Sequence, residues 1–99
     1  MYSDVIYTEV KGEVAEHDIT VYALSTCGFC KRALAFLNDN GVSYRYVYFD
    51  KLSEDEKASL RKRLMNDYKE YLSFPYAIID DKDVLVGFIE ANWRAALGL

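Results

Sequence analysis

Two cysteines three positions apart, Cys27 and Cys30, stand where a strand-like run gives way to a helical one, and this junction constrains the chain more than any other feature. The run Ile19-Thr20-Val21-Tyr22-Ala23-Leu24 is apolar and long enough to cross the middle of a small sheet. From Gly28 to Asn40 the residues Ala33, Leu34, Phe36 and Leu37 recur near helical spacing, and Gly41 stands where a helix commonly stops in a left-handed conformation. Cys27 would therefore face the unpaired N–H groups and the positive end of a helix dipole. Positions of this kind take a cysteine pKa from about 8.5 into a range of roughly 3.5 to 7.5, which gives a usable thiolate at neutral pH. Lys31 and Arg32 would add to that effect. Cys27 is then the nucleophile, and Cys30, one turn deeper, the resolving thiol. Side chains three apart on a helix stand about 5–6 Å apart at Cβ, whereas an unstrained disulfide wants roughly 3.5–4.5 Å, so a Cys27–Cys30 bridge closes with some strain. Strained, exposed disulfides have the high reduction potentials of catalytic pairs.

Three other uses of the pair compete with dithiol chemistry. A structural zinc site wants four ligands, and besides the cysteines the chain offers only His17, so no metal is assigned. Two inert buried cysteines are a second option, which polar Ser25-Thr26 just before them disfavours. An iron–sulfur cluster shared between two chains is the third, since two thiolates per chain could support one if partner ligands joined them. Two cysteines are too few for the disulfide scaffold of a small secreted domain.

The remaining pattern is that of one α/β domain, which suits a length of 99 residues. Residues 1–18 read as an N-terminal extension, in which Val5 to Val14 suits an extra strand or a small hairpin turning at Lys11-Gly12. The domain proper spans residues 19–99. After the first helix, Ser43 to Phe49 alternates as a strand with apolar bulk on both faces. Ser53 and Glu56 form a capping box for a second helix, continued by Leu60, Leu64, Tyr68 and Leu72 at four-residue intervals. Tyr76 to Ile79 and Val84 to Val86 read as a hairpin around Asp80 to Asp83, and a last helix runs from Glu90 to Leu97. A strand-helix-strand opening gives a parallel pair, and the hairpin adds antiparallel strands.

A net charge of -4 with interleaved acids and bases argues against nucleic acid as a partner. Met1 to Glu9 has neither a basic leader nor an uninterrupted apolar run, so no membrane span or signal peptide is expected and the cytoplasm is the expected location. No glycine-rich dinucleotide turn is present, so an electron donor must come from outside. His17 reads as a surface residue. Tyr44, Tyr46 and Tyr48 read as packing, and Trp93 as an anchor for the last helix.

Four segments in order, Ser25-Thr26-Cys27-Gly28-Phe29-Cys30-Lys31-Arg32, Gly41-Val42-Ser43-Tyr44, Ser73-Phe74-Pro75 and Val86-Gly87-Phe88, resemble the glutaredoxins and NrdH-type redoxins over nearly all of residues 19–97. The resemblance implies a thioredoxin-like, glutaredoxin-type fold, with a central mixed four-stranded sheet and three helices, to which an N-terminal strand is added. It implies a dithiol protein-disulfide oxidoreductase in which Cys27 attacks, Cys30 resolves and a Cys27–Cys30 disulfide is the product. It also implies a cis Phe74–Pro75 bond beside the sulfurs, with the Phe74 backbone pairing with the substrate cysteine. Gly28, Phe29, Ser73, Phe74, Pro75, Gly87 and Phe88 are the implied substrate-binding residues. The implied partners are disulfide-containing proteins and an external reductant, either of the thioredoxin reductase type or based on glutathione, and the chain is expected to be a monomer with no tightly bound cofactor.

The departures bear on glutathione. Many glutaredoxins have lysine three places before the nucleophile, where this chain has Leu24, and Gly-Cys-Asp-Asp where it has Gly87-Phe88-Ile89-Glu90. Phe29 replaces a usual tyrosine. Only Glu90 remains for the tripeptide's amino end, and Arg61 or Lys62 for a carboxylate, so the sequence argues against glutathione as the specific partner. Cys-Gly-Phe is also found in cluster-binding monothiol glutaredoxins, where serine stands in place of Cys30; the second thiol favours dithiol exchange. Gly87-Phe88 is instead similar to the Ser-Gly-Phe segment of NrdH-type redoxins, which pass electrons from thioredoxin reductase to ribonucleotide reductase.

Overall fold

Ile19–Ala23 forms a strand buried along its whole length, and the other elements are arranged around it. The computed structural model describes residues 1–99. In chain order the elements are β1 (Thr8–Val10), β2 (Ile19–Ala23), α1 (Gly28–Asp39), β3 (Tyr44–Tyr48), a 3-10 turn at Phe49–Lys51, α2 (Glu54–Tyr68), β4 (Tyr76–Ile79), β5 (Asp83–Val86) and α3 (Glu90–Leu97). They build one mixed sheet in the order β1-β3-β2-β4-β5. β2 and β3 run parallel, while the β1–β3, β2–β4 and β4–β5 pairs are antiparallel.

Alternation along the strands sends side chains into two cores, one on each face of the sheet. Ile19, Val21, Ala23, Ala77 and Ile79 pack with Ala33, Phe36 and Leu37 of α1 and with Trp93 and Leu97 of α3. On the other face Tyr22, Val47, Tyr76 and Ile78 pack with Leu60 and Leu64 of α2 and with Val5. Tyr44, Tyr46 and Tyr48 stack along the first face with ring centroids 6.1 and 5.2 Å apart. They pack as the alternation suggests.

The capping box at α2 forms in both directions: the Ser53 hydroxyl accepts the Glu56 N–H at 3.2 Å, and the Glu56 carboxylate accepts the Ser53 N–H at 3.0 Å. The helix is shorter than the four-residue spacing predicts. It ends at Tyr68, with Lys69 in the left-handed region at φ 61, and Leu72 reaches the same core from the segment beyond. The strand predicted to end at Phe49 stops at Tyr48, because Phe49 enters the 3-10 turn and buries its ring toward α2.

The extension supplies the fifth strand, but the hairpin at Lys11-Gly12 does not form. β1 instead pairs with β3, and Gly12 crosses the chain after α1 closely enough that a Cβ there would lie 2.1 Å from the Gly41 carbonyl oxygen. The Gly12 N–H donates to Ser43 Oγ at 2.8 Å, and Val14 bridges to Val42 in parallel. Arg45 ties three strands together, donating to Glu9 at 3.2 Å, Thr20 at 2.9 Å and Asp18 at 2.7 Å. No helix is long and apolar enough to cross a membrane.

Candidate active site

β2 ends at Ala23, a short turn follows, and α1 starts at Gly28, so Cys27 becomes the residue that caps the helix. Its backbone is extended, and its Sγ accepts the Cys30 N–H at 3.2 Å. The sulfur is thereby an acceptor at the positive end of the helix, where negative charge is stabilised. Cys27 is half-buried, while Cys30 is 1% exposed and lies in the core between β2 and α1. Cys30 Sγ accepts the Leu24 N–H at 3.4 Å. Burial pushes the Cys30 thiol up to about 12, and its hydrogen bond with Cys27 adds to the rise. Both cysteines carry free thiols.

The second part of the site is the segment before β4. The Phe74–Pro75 bond is cis, and Pro75 is buried. The Pro75 carbonyl accepts the Gly87 N–H at 2.8 Å, which fastens this segment to the end of β5. Gly87 has φ +77, a conformation open to glycine without steric cost. Its own carbonyl accepts the Trp93 indole N–H at 3.0 Å, so α3 holds the turn in place. Phe88 packs between Phe36 and Trp93, with centroids 5.7 and 5.4 Å away. Phe74 stacks on Phe49 at 5.2 Å and is half-buried between both cores. The N–H and C=O of Phe74 have no hydrogen-bond partner within the protein.

Cys27, Phe74 and Phe88 thus pack against the same core that holds Cys30. Gly28 and Ser73 are exposed at the surface. Phe29 is 58% exposed, with the Arg32 guanidinium 5.4 Å from its ring. Glu90 does not stand free: Arg94 Nε donates to its carboxylate at 2.9 Å. Arg61 lies over the Phe49 ring at 5.3 Å, and Leu24 packs into both cores. His17 precedes β2, at the opposite end of that strand from the cysteines, and pairs with Asp80 at 2.7 Å, which removes it as a ligand to a metal held by the two sulfurs.

Sequence reasoning passed over Asp50 and its pairing with Ser25. Asp50 accepts the Ser25 N–H at 2.9 Å and the Ser25 hydroxyl at 2.5 Å, and these bonds hold its carboxyl below the usual carboxylate range. The signal lies in the parallel register, where Thr20 faces Arg45 and Ala23 faces Tyr48, so that its continuation brings Ser25 to Asp50.

Comparison with known proteins places this geometry in a family. The glutaredoxin family model matches residues 19–84. Glutaredoxin 1 of Rickettsia bellii (strain RML369-C) is 32% identical over 68 residues, 69% of this chain and 67% of that protein. A glutaredoxin from Methanosarcina mazei Go1 superposes with a TM-score of 0.79 at 35% identity, covering 94% of this chain and 88% of the other. A methanoredoxin from Methanosarcina acetivorans gives 0.78 at 39% identity, over 89% and 90%.

Proposed function

Since the chain belongs to the glutaredoxin family and so is a thiol–disulfide oxidoreductase, we propose that it reduces protein and mixed disulfides through a Cys27/Cys30 dithiol cycle. The observation that carries this reading is the asymmetry of the pair: an accessible sulfur capping the helix in front of a buried thiol in the same turn. The Cys27 thiolate attacks a substrate disulfide, forming a Cys27–substrate bond as the substrate's own S–S bond breaks and its first sulfur leaves with the electron pair. Cys30 then attacks Cys27, releasing the second substrate sulfur and leaving the Cys27–Cys30 disulfide. The unpaired N–H and C=O of Phe74 are suited to pair with the backbone of an incoming cysteine, as an extended segment pairs with a strand edge.

Cys27→Ser should abolish reduction of a model protein disulfide, and Cys30→Ser should accumulate a mixed disulfide with substrate. Equal activity of the two variants would sink the cycle.

The proposed reductant is a flavoprotein of the thioredoxin reductase type rather than glutathione. Leu24 offers a tripeptide carboxylate no charge, Glu90 is already engaged by Arg94, and Phe29, two residues after Cys27, presents an exposed apolar ring. Oxidised protein offered either glutathione with its reductase or a thioredoxin reductase should be reopened efficiently only by the latter.

A further inference from the structure

Asp50 belongs neither to the cysteine pair nor to the cis-proline segment, yet it grips the turn that leads into the nucleophile. Both its oxygens are used on Ser25, one on the backbone N–H and one on the hydroxyl. The neighbouring residue, Leu24, makes the two contacts that matter to the sulfurs. Its N–H donates to Cys30 Sγ at 3.4 Å, and its carbonyl accepts the Cys27 N–H at 3.3 Å. A carboxylate that fixes the peptide between residues 24 and 25 therefore fixes the Leu24 carbonyl that takes the Cys27 N–H, and through the Leu24 backbone it steadies the N–H one peptide earlier that is aimed at Cys30. Resting on the dithiol reading, we infer that Asp50 is a positioning residue for the resolving half of the cycle, holding through Ser25 the turn that orients Leu24 toward Cys30 Sγ.

In this half-reaction the Cys30–Cys27 bond forms as the Cys27–substrate bond breaks. The electron pair leaves on the substrate sulfur, which takes up a proton, and the proton of Cys30 passes to solvent. Asp50 is a poor acceptor for that proton, because the Ser25 donors stabilise its anionic form. Its charge acts in the opposite sense, as one of the influences that disfavour the Cys30 thiolate. The turn geometry and the charge are thus separable. Asn at position 50 keeps an oxygen for the Ser25 N–H and removes the charge, whereas Ala removes both.

Equimolar 5,5'-dithiobis(2-nitrobenzoate) mixed with the reduced protein separates the two steps, since capture by Cys27 releases one coloured thiolate and resolution by Cys30 the second. Asp50→Ala should retain the first phase and slow the second on the order of tenfold or more, the scale at which misplaced reacting groups lose rate. Ser25→Ala, which removes only the hydroxyl contact, should slow the second phase less. Asp50→Asn should move the pH profile of the second phase to lower pH, a readout that loss of structure alone does not produce. Second phases equal to wild type in Asp50→Ala and Asp50→Asn at every pH, or equal slowing of both phases, would overturn the assignment while leaving the cycle intact. A wild-type protein that releases only one equivalent would overturn both.

Discussion

Cys27 Sγ takes the backbone N–H of Cys30 at 3.2 Å, so the two cysteines are linked through main chain and sulfur before any disulfide exists. The same turn of helix that presents Cys27 to solvent withdraws Cys30 into the core, where it is 1% exposed. The division of labour between nucleophile and resolving thiol follows from that geometry.

Its first consequence is selective alkylation. Cys30 is buried and its thiol is pushed up to about 12, so near neutral pH it is protonated and shielded. Iodoacetamide at pH 7 should modify Cys27 alone in the folded, reduced protein, and peptide mass mapping should find Cys30 labelled only after unfolding. Comparable labelling of the two residues in the folded state would contradict this arrangement.

The second consequence concerns alkaline stability. The Cys30 thiol ionises at higher pH in the folded protein than in the unfolded chain, from an ordinary value of 9.0 to about 12. Between those values the unfolded chain has lost this proton and the folded protein keeps it, so stability falls as pH rises. The contribution is fully present below about pH 9 and is lost on the way to pH 12. Urea unfolding of the reduced protein should show midpoints that fall over this window, and the Cys30→Ala variant should show a shallower fall. Identical slopes for the two would remove Cys30 as the cause.

Features written in a few adjacent residues were legible before any coordinates. The Ser53–Glu56 capping box, the β4–β5 hairpin and the span of α3 are local, and each appears in the fold. The end of α2 was not legible, because Leu72 keeps the four-residue spacing while the backbone has already turned left-handed at Lys69. The Ser25–Asp50 pair was hidden for a different reason. It depends on the register of two parallel strands separated in the chain by α1, and the sequence shows two strand-like segments without showing their alignment. The Gly12 crossing has the same origin: a glycine between two strand-like stretches reads as a turn, and only its approach to Gly41 reveals it as a close contact.

Trp93 joins stability to the site. Its ring is 1% exposed, and its indole N–H donates to the carbonyl of Gly87, the residue whose own N–H holds Pro75. Trp93→Ala should cost about 3–5 kcal/mol by leaving a cavity in the core. Trp93→Phe keeps much of the packing but leaves the Gly87 carbonyl without its donor, a loss of about 1 kcal/mol from the missing bond together with a smaller packing defect. In a domain of this size each 1 kcal/mol lowers the melting temperature by roughly 4–8 °C, so calorimetry resolves the two variants. Equal melting temperatures for Phe and Ala at this position would show that the ring contributes nothing beyond what a methyl group supplies.

Gly12 and Gly28 make opposite predictions for the same change. A Cβ on Gly12 would meet the Gly41 carbonyl oxygen at 2.1 Å, the Gly41 carbonyl carbon at 2.5 Å and the Val42 carbonyl carbon at 2.9 Å, all backbone atoms that no rotamer change can move. The crossing must open, which strains the Val14 N–H bond to Gly41 at 2.9 Å and the Ser43 N–H bond to Val14 at 2.8 Å. With each such bond worth about 1 kcal/mol net, Gly12→Ala should cost on the order of 2 kcal/mol, and amide exchange should quicken at Val14 and Ser43. Nothing lies within 4 Å of a Cβ built on Gly28, which stands in the first turn of α1. Gly28→Ala should therefore be neutral or stabilising by up to about 1 kcal/mol, since alanine loses less backbone entropy in a helix. A stable Gly12→Ala variant with unchanged exchange at Val14 would mean that the extension does not cross β3's leading loop as closely as its backbone indicates.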